Sequence, residues 1–359
     1  MERLRVAVLF GGASSEYEVS LLSAASVLRN IPKDRFETIN IGITKQGRWY
    51  KYAGAVESIE NGAWTHDIDN LTPCILSPDR GVHGVVTFAG GSYRNERVDV
   101  VFPVLHGKNG EDGTLQGLLT LAGVPFVGCG TLSSAVCMDK AVTSTLLDAA
   151  GIPHTPWAAV LPAQLADFDA LATQLEQRLG YPMFVKPANA GSSVGVTKAH
   201  DKGELRGALD AAFRYDGKAV VERTVVGKEL EIAVCGNDRA AASAVGEIVP
   251  CNEFYDYDAK YLANKSEALI PARISDAQAR EIKERAVEAY RALGCAGLAR
   301  IDFLLEEATG KIFLNEPNTI PGFTSISMYP KLMAASGVPY SELIARLIDL
   351  AVERAGESR

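Results

Sequence analysis

No run of 18 apolar residues occurs in the 359-residue chain, so a membrane-spanning helix is not expected. Cysteine is sparse and scattered. Cys74, Cys129, Cys137, Cys235, Cys251 and Cys295 form no C-x-x-C pair, which argues for reduced thiols in a cytoplasmic protein and against a structural zinc site. Excess positive charge is lacking too: the formal net charge is −8, which excludes the basic footprint of a nucleic-acid-binding protein. The opening MERLRVAVLFGG has neither the apolar core nor the cleavage site of a secretory signal. No internal repeat or low-complexity tract is present. What is there is an ordinary globular composition, 47% hydrophobic and 22% charged, in a chain long enough for two or three domains.

A strand–turn–helix pattern opens the chain. Arg5 to Phe10 (RVAVLF) reads as a buried parallel strand. It runs into Gly11-Gly12-Ala13-Ser14-Ser15-Glu16, and Val19, Leu22, Ala25 and Leu28 then predict a helix. A glycine turn before a helix N-terminus suits an anion or small ligand. Helix capping by Ser14 or Ser15, with Glu16 complementing the dipole, is the simpler reading of these residues alone. Phe36 to Ile43 predicts the next strand. Residues 45–95 read as an irregular, glycine-rich surface elaboration with a strand-like piece at Trp49 to Tyr52. Val98 to Leu105 is another buried strand, ending in the polar loop HGKNGEDG from His106 to Gly113. A helix over 114–122 and a strand over 124–127 follow. The alternation predicts an N-terminal α/β domain of βαβ type over residues 1–137.

Asp139 and Lys140 open a helix that Gly151 and Pro153 stop, which sets the next boundary. The strand Met183 to Val185 delivers Lys186 and Pro187 into small residues, Ala188 to Ser193, with a strand expected to resume at Val194 to Val196. Free backbone N–H groups, the hydroxyls of Ser192 and Ser193 and a lysine suit a polyphosphate. No G-x-x-x-x-G-K-[ST] pattern is present, and a plain hairpin turn is the other reading. Strands are expected at 219–222, 230–234 and 242–249. Residues 251–271 are long, polar and aromatic, as lids commonly are. Ser275 and Gln278 form a capping box for a helix ending at Gly294. Strands over 298–305 and 311–316 and a helix over 341–354 complete the chain. Domains are placed at 138–226 and 227–359.

Arg300 and Asp302 lie two apart and so share a strand face; Glu316 and Asn318 do likewise. The oxygen donors Asp302, Glu316 and Asn318 suit a hard cation such as Mg²⁺, the alternative being an ion pair with Arg300. Gly322 offers an unobstructed N–H of the kind an oxyanion needs. Lys140, Lys186 and Lys260 add positive charge for a triphosphate.

In chain order, GGASSEYEVS, HGKNGEDGTLQG, CMDK, VKPANAGSSVGV, FYDYDAKY, ARIDF and NEPNTIPGFTS resemble the D-alanine–D-alanine ligases of the ATP-grasp superfamily. The likeness covers nearly the whole chain, residues 45–95 excepted. It implies an N-terminal α/β domain followed by a two-subdomain ATP-grasp fold. It also implies a cytoplasmic homodimer that uses ATP and two Mg²⁺ or Mn²⁺ ions to make D-alanyl-D-alanine for peptidoglycan. By the same resemblance Glu16 holds the ammonium of the first D-alanine and is linked to Ser192 and Tyr261. Lys140 and Lys186 reach the α- and β-phosphates, Lys260 the γ-phosphate, and Ser193 and Phe303 join the ATP-binding set. Glu222 and the Val225 backbone take adenine, and Glu229 the ribose. His106 sits beside the transferred phosphoryl group, and Asp302, Glu316 and Asn318 are metal ligands. Arg300 and the Gly322 N–H stabilise an oxyanion, while Ser327 and Met328 hold the second substrate's carboxylate. Arg223 and Thr224 depart from the lysine and aromatic common in relatives, which leaves the adenine contacts open. Tyr261 favours an amine nucleophile over D-lactate; D-serine is the remaining alternative as second substrate. A non-catalytic relative would have lost some of Lys186, Arg300, Asp302, Glu316 or Asn318, and all are present.

Overall fold

Buried apolar side chains fill the strand Leu4–Gly11 (β1) from Val6 onward, and the first sheet grows from it. The computed structural model describes residues 3–191, 194–249, 267–324 and 326–357. β1 pairs in parallel with Phe36–Ile43 (β2) and Val100–Pro103 (β7), and the helix Tyr17–Asn30 (α1) connects β1 to β2. Four antiparallel strands extend this sheet: Trp49–Tyr52 (β3), Leu71–Leu76 (β4), Gly84–Ala89 (β5) and Ser92–Arg97 (β6). The order is β6-β5-β4-β3-β2-β1-β7. The short helix Val56–Glu60 (α2) lies between β3 and β4.

Residues 45–95 are therefore largely sheet, with Tyr52 and Trp64 in the core, and not an irregular surface elaboration. Trp64 is 0% exposed. Its indole N–H donates to Tyr17 Oη at 3.0 Å, and its ring meets Phe10 and Tyr52 edge-on at 5.1 and 6.1 Å. β3 is the strand-like piece expected at Trp49 to Tyr52, whereas β6 escapes a periodicity reading because it is exposed along almost its whole length, leaving no apolar alternation to detect. Trp64→Ala should lower stability by about 3–5 kcal/mol, read as a drop in the urea midpoint.

The expected strand at 124–127 is reduced to a single bridge, Val101 with Phe126. The helix Thr114–Ala122 (α3) precedes it, and Thr131–Met138 (α4) and Lys140–Ala149 (α5) follow. The second sheet is antiparallel, in the order β10-β9-β11-β8, from Trp157–Val160 (β8), Met183–Pro187 (β9), Thr197–Ala199 (β10) and Ala219–Arg223 (β11). The helices Phe168–Leu179 (α6) and Lys202–Ala212 (α7) bury Leu171, Leu175, Leu205 and Leu209 against Val185 and Val221. β10 starts at Thr197, later than expected, because Gly195 sits in a turn with φ +72°.

The third sheet runs β14-β13-β12-β15-β16. Its strands are Gly227–Gly236 (β12), Ala241–Val249 (β13), Glu267–Leu269 (β14), Gly297–Glu306 (β15) and Ile312–Asn318 (β16). The expected capping box of Ser275 and Gln278 starts the helix Asp276–Ala292 (α8). The helices Met328–Ala335 (α9) and Tyr340–Glu357 (α10) follow. Leu332, Leu343 and Leu347 share one core with Phe10, Leu28 and Val100, so the end of the chain closes over its beginning. The five cysteines among the described residues are buried and unpaired. No described helix is long and apolar enough to cross a membrane.

Candidate active site

β9 carries Lys186 opposite Val220 of β11, with Glu222 two residues further along that strand. Lys186 Nζ lies 2.5 Å from Glu222 Oε2, both well buried. Burial works against the ammonium, yet Glu222, Glu316 and Glu229 outweigh it and raise the Lys186 pKa. One cation thus faces carboxylates of the second and third sheets. Lys140 Nζ donates to Ala190 O at 2.7 Å. Asp139 caps α5 through the N–H groups of Ala141 and Val142 and pairs with Lys218 at 2.5 Å. Asp216 accepts the backbone N–H of Asn189 at 2.8 Å, which pins the mouth of the glycine loop. Ser192, Ser193, Lys260 and Tyr261 lie outside the described residues.

Glu16 occupies the N-cap of α1, but its side chain makes no capping bond. The side chain is instead turned inward, and the residue is 6% exposed. A Cβ built on Gly107 would fall 2.4 Å from Glu16 Oε2, and one on Gly191 2.8 Å from the same atom. Three loops thus converge on one carboxylate: the turn before α1, the loop after β7 and the glycine loop after β9. Neither glycine position leaves room for a side chain.

On the third sheet the face is charged. Arg300 donates to both oxygens of Asp302, each at 2.7 Å, and Glu231 Oε2 lies 3.1 Å from Arg300 Nε. Cross-strand register pairs Asp302 with both Glu231 and Glu316, and Arg300 with Asn318. Asn318 Nδ2 donates to Asp302 Oδ2 at 3.0 Å. Burial opposes the guanidinium charge, but Asp302, Glu231 and Glu316 raise its pKa well above the ordinary value. The ion pair and the oxygen cluster therefore coexist. No cluster of three or more acidic, His or Cys ligands occurs among the described residues. Two carboxylates and an amide fit a divalent ion that takes its remaining ligands from phosphate and water, as Mg²⁺ usually does.

Other expected positions separate. Phe303 alternates to the opposite face from Asp302 and is 1% exposed in the core beneath α8, so its ring is a packing residue, apart from the charged face. Met328 is turned against Gly246 and buried. Ser327 Oγ accepts the Thr324 N–H at 3.0 Å and would lie 2.7 Å from a Cβ on Gly322. Val225 follows β11 and Glu229 lies on β12, both half-buried, and Glu229 is near enough to Lys186 for its charge to act there. Next to Val225, Thr224 Oγ1 and Arg223 Nε are buried with no hydrogen-bond partner among the described residues, as side chains that turn to a polar ligand would be. Arg223 itself pairs with Glu306 at 3.0 Å and lies over the Phe313 ring.

His106 is buried, its Nδ1 3.0 Å from Ile320 O and its Nε2 3.1 Å from Ser23 Oγ. Burial lowers its pKa, against the pull of Glu16, so the imidazole is neutral. Sequence reasoning missed Glu111 and Glu231. Glu231 carried a signal, a charge in the apolar strand ELEIAVC; Glu111 carried none beyond being polar in a loop. Glu111 accepts N–H bonds from Gly107 at 2.7 Å and from Ile320 at 3.1 Å. Burial and then the Glu16 charge push its carboxyl up to about 8 from 4.5, against the two N–H bonds and Arg300. The folded chain thus holds a proton that the unfolded chain releases. This contribution to stability is full below about pH 4.5 and is lost as pH rises through about 8. Denaturation from about pH 5 to 9 should show stability falling across that window, with a shallower slope in Glu111→Gln.

A lysine-bearing glycine loop on an antiparallel sheet, set against a second sheet lined with carboxylates, defines an ATP-grasp enzyme preceded by an α/β domain. Comparison with known proteins narrows the class. The family models for the D-ala D-ala ligase N-terminus and C-terminus match residues 5–129 and 146–349. The D-alanine–D-alanine ligase of Thermoanaerobacter sp. (strain X514) is 50% identical over 358 residues, covering 99% of each chain. That of Acetivibrio thermocellus is 48% identical, covering 99% of this chain and 98% of its own. Among solved structures, the VanG D-Ala:D-Ser ligase from Enterococcus faecalis matches with a TM-score of 0.89 and 45% identity, over 98% of this chain and 100% of that one. The D-alanine-D-alanine ligase from Coxiella burnetii matches with a TM-score of 0.89 and 34% identity, over 100% and 96%. The chain belongs to the D-alanine–D-alanine ligase family.

Proposed function

We propose that this chain joins two D-alanine molecules into D-alanyl-D-alanine at the expense of ATP, in the cytoplasm and as a homodimer, for peptidoglycan synthesis. The observation that carries the reading is the buried Glu16 carboxylate packed against Gly107 and Gly191. An amine-holding anion there lies next to the loop that would hold the phosphates. We read the chain as three consecutive units, 1–137, 138–226 and 227–359, with the site where they meet.

A carboxylate is a poor electrophile. Transfer of the γ-phosphoryl group of ATP to the first D-alanine carboxylate gives an acyl phosphate and ADP. The amine of the second D-alanine then attacks the carbonyl carbon, and the tetrahedral oxyanion collapses with loss of phosphate. In this scheme Glu16 orients the first ammonium together with Ser192 and Tyr261. Lys140 and Lys186 neutralise the α- and β-phosphates, Lys260 the γ-phosphate, and Ser193 lies along the same loop. Glu222, the Val225 backbone and Glu229 take adenine and ribose. Neutral His106 stands beside the transferring group as a hydrogen-bonding partner and adds no charge. Asp302, Glu316 and Asn318 would hold two Mg²⁺ or Mn²⁺ ions, which offset phosphate charge when bound. Arg300 and the Gly322 N–H stabilise the oxyanion, and Ser327 with the Met328 backbone receives the second carboxylate. Lys186 must exchange Glu222 for phosphate, and the Glu222 oxygen so released is an acceptor for the adenine amino group.

ATP turnover should require both D-alanine and a divalent metal, with one phosphate and one dipeptide formed per ATP. Phosphate release without dipeptide would sink the proposal.

A further inference from the structure

The loop 319–324 between β16 and α9 holds Gly322, and peptide groups on both sides of that glycine are gripped by side chains from distant elements. On one side, Ile320 N–H donates to Glu111 and Ile320 O lies 3.0 Å from His106 Nδ1. On the other, Phe323 N–H donates to Ser23 Oγ at 3.3 Å and Phe323 O accepts from Tyr340 Oη at 2.6 Å. Ser26 Oγ is 3.0 Å from the same Tyr340 oxygen.

Proton directions follow. A carbonyl only accepts, so His106 carries its proton on Nδ1, and Ser23 donates to Nε2 at 3.1 Å. A relay results: Phe323 N–H to Ser23 O–H to His106 to Ile320 O. Tyr340 must likewise donate to Phe323 O, which leaves Ser26 to donate to Tyr340. Burial pushes the Tyr340 hydroxyl up to about 12, so it keeps its proton at neutral pH. Ser23 and Ser26 are three apart on α1 and so share a face. Glu16 occupies the N-cap position of that helix, about 10 Å from Ser23 at 1.5 Å rise per residue. The Phe323 ring is 1% exposed and packs against Phe102, Tyr329 and Tyr340, so the loop has little freedom to rotate once these bonds are made.

We propose that Ser23 and Tyr340 are positioning residues for the ligation step, fixing the direction of the Gly322 N–H through the two sides of Phe323. α1 then acts as a strut that holds the oxyanion donor at a set distance from the carboxylate receiving the first substrate's amine. The inference rests on the reading of Gly322 as that donor and of Glu16 as that carboxylate.

The test uses the full chain with Tyr340→Phe, which keeps the ring, and Ser23→Ala, which removes one oxygen. The probe is a D-alanine-derived phosphinate dipeptide mimicking the tetrahedral intermediate, with ADP as a reference ligand bound elsewhere in the site. Each variant should lose about 10- to 100-fold in kcat, the scale of a displacement of about 1 Å at a reacting centre. Phosphinate affinity should fall by a similar factor, while ADP affinity and the KM for ATP stay within about twofold of the parent. A merely structural role would weaken both ligands together and lower the melting temperature in step. That result, or variants that bind phosphinate as the parent does, overturns the proposal. A parent that binds phosphinate no better than D-alanine overturns the reading of Gly322 itself, and the proposal with it.

Discussion

Glu316→Ala is expected to abolish measurable turnover, a loss of about 10³-fold or more, with little change in the fold. Glu316 lies on β16 opposite Asp302, half-buried. Its charge raises the pKa of both Lys186 and Arg300, which places it between the glycine loop and the charged face of the third sheet. Removing it leaves Arg300 with Asp302 and Glu231, and Lys186 with Glu222. Neither buried cation is stranded, so the large penalty for breaking a buried pair does not arise. The loss should appear instead in metal-dependent nucleotide binding: affinity for ADP with Mg²⁺ should fall while affinity for metal-free ADP holds. Full activity in this variant would refute the ligand assignment.

Arg300→Lys should cost about 10²–10³-fold in kcat with the KM for ATP nearly unchanged. Lysine keeps the charge but not the planar fork, and Arg300 uses that fork on both oxygens of Asp302. A single ammonium can neutralise Asp302 without presenting a second N–H towards an oxyanion. Arg300→Ala would confound the result, because it leaves Asp302 and Glu231 as uncompensated charges at a cost of about 3–5 kcal/mol. A lysine variant with parental kcat would show that Arg300 serves the sheet and not the reaction. Steady-state kinetics with a melting curve on the same sample separate the two.

Much of the fold and of the site is legible in the sequence. RVAVLF and VDVVFPVL read as buried parallel strands because β-strands covered on both faces are continuously apolar. Ser275 with Gln278 announces α8 because capping is a local hydrogen-bond pattern. The two-residue period of a strand places Arg300 and Asp302 together, and the folded chain makes them a bidentate pair. What stays hidden depends on register and long-range packing. Glu231 meets Asp302 only through the pairing of β12 with β15. Glu111, Ser23 and Tyr340 come to the loop around Gly322 from sequence positions roughly 200 and 300 residues before it and about 20 after it. Such side chains carry no spacing signal. The strands β4 to β6 escape for the opposite reason: their outer edge is too exposed to alternate, while Trp64 looks like any other loop aromatic until the core closes on it. Capping is explanation enough for Glu16 in the sequence, and only the loops packed around its carboxylate show that it is turned away from its own helix.

The decisive measurement is the mass spectrum of products formed from ATP, Mg²⁺ and equal amounts of D-alanine, D-serine and D-lactate. D-alanyl-D-alanine is the predicted main product, as in the D-alanine–D-alanine ligases to which the chain is 48–50% identical; Tyr261 in the AKY pattern disfavours D-lactate, and the D-serine arm tests the remaining alternative. Its absence, with D-alanyl-D-serine or D-alanyl-D-lactate formed instead, would contradict the assignment.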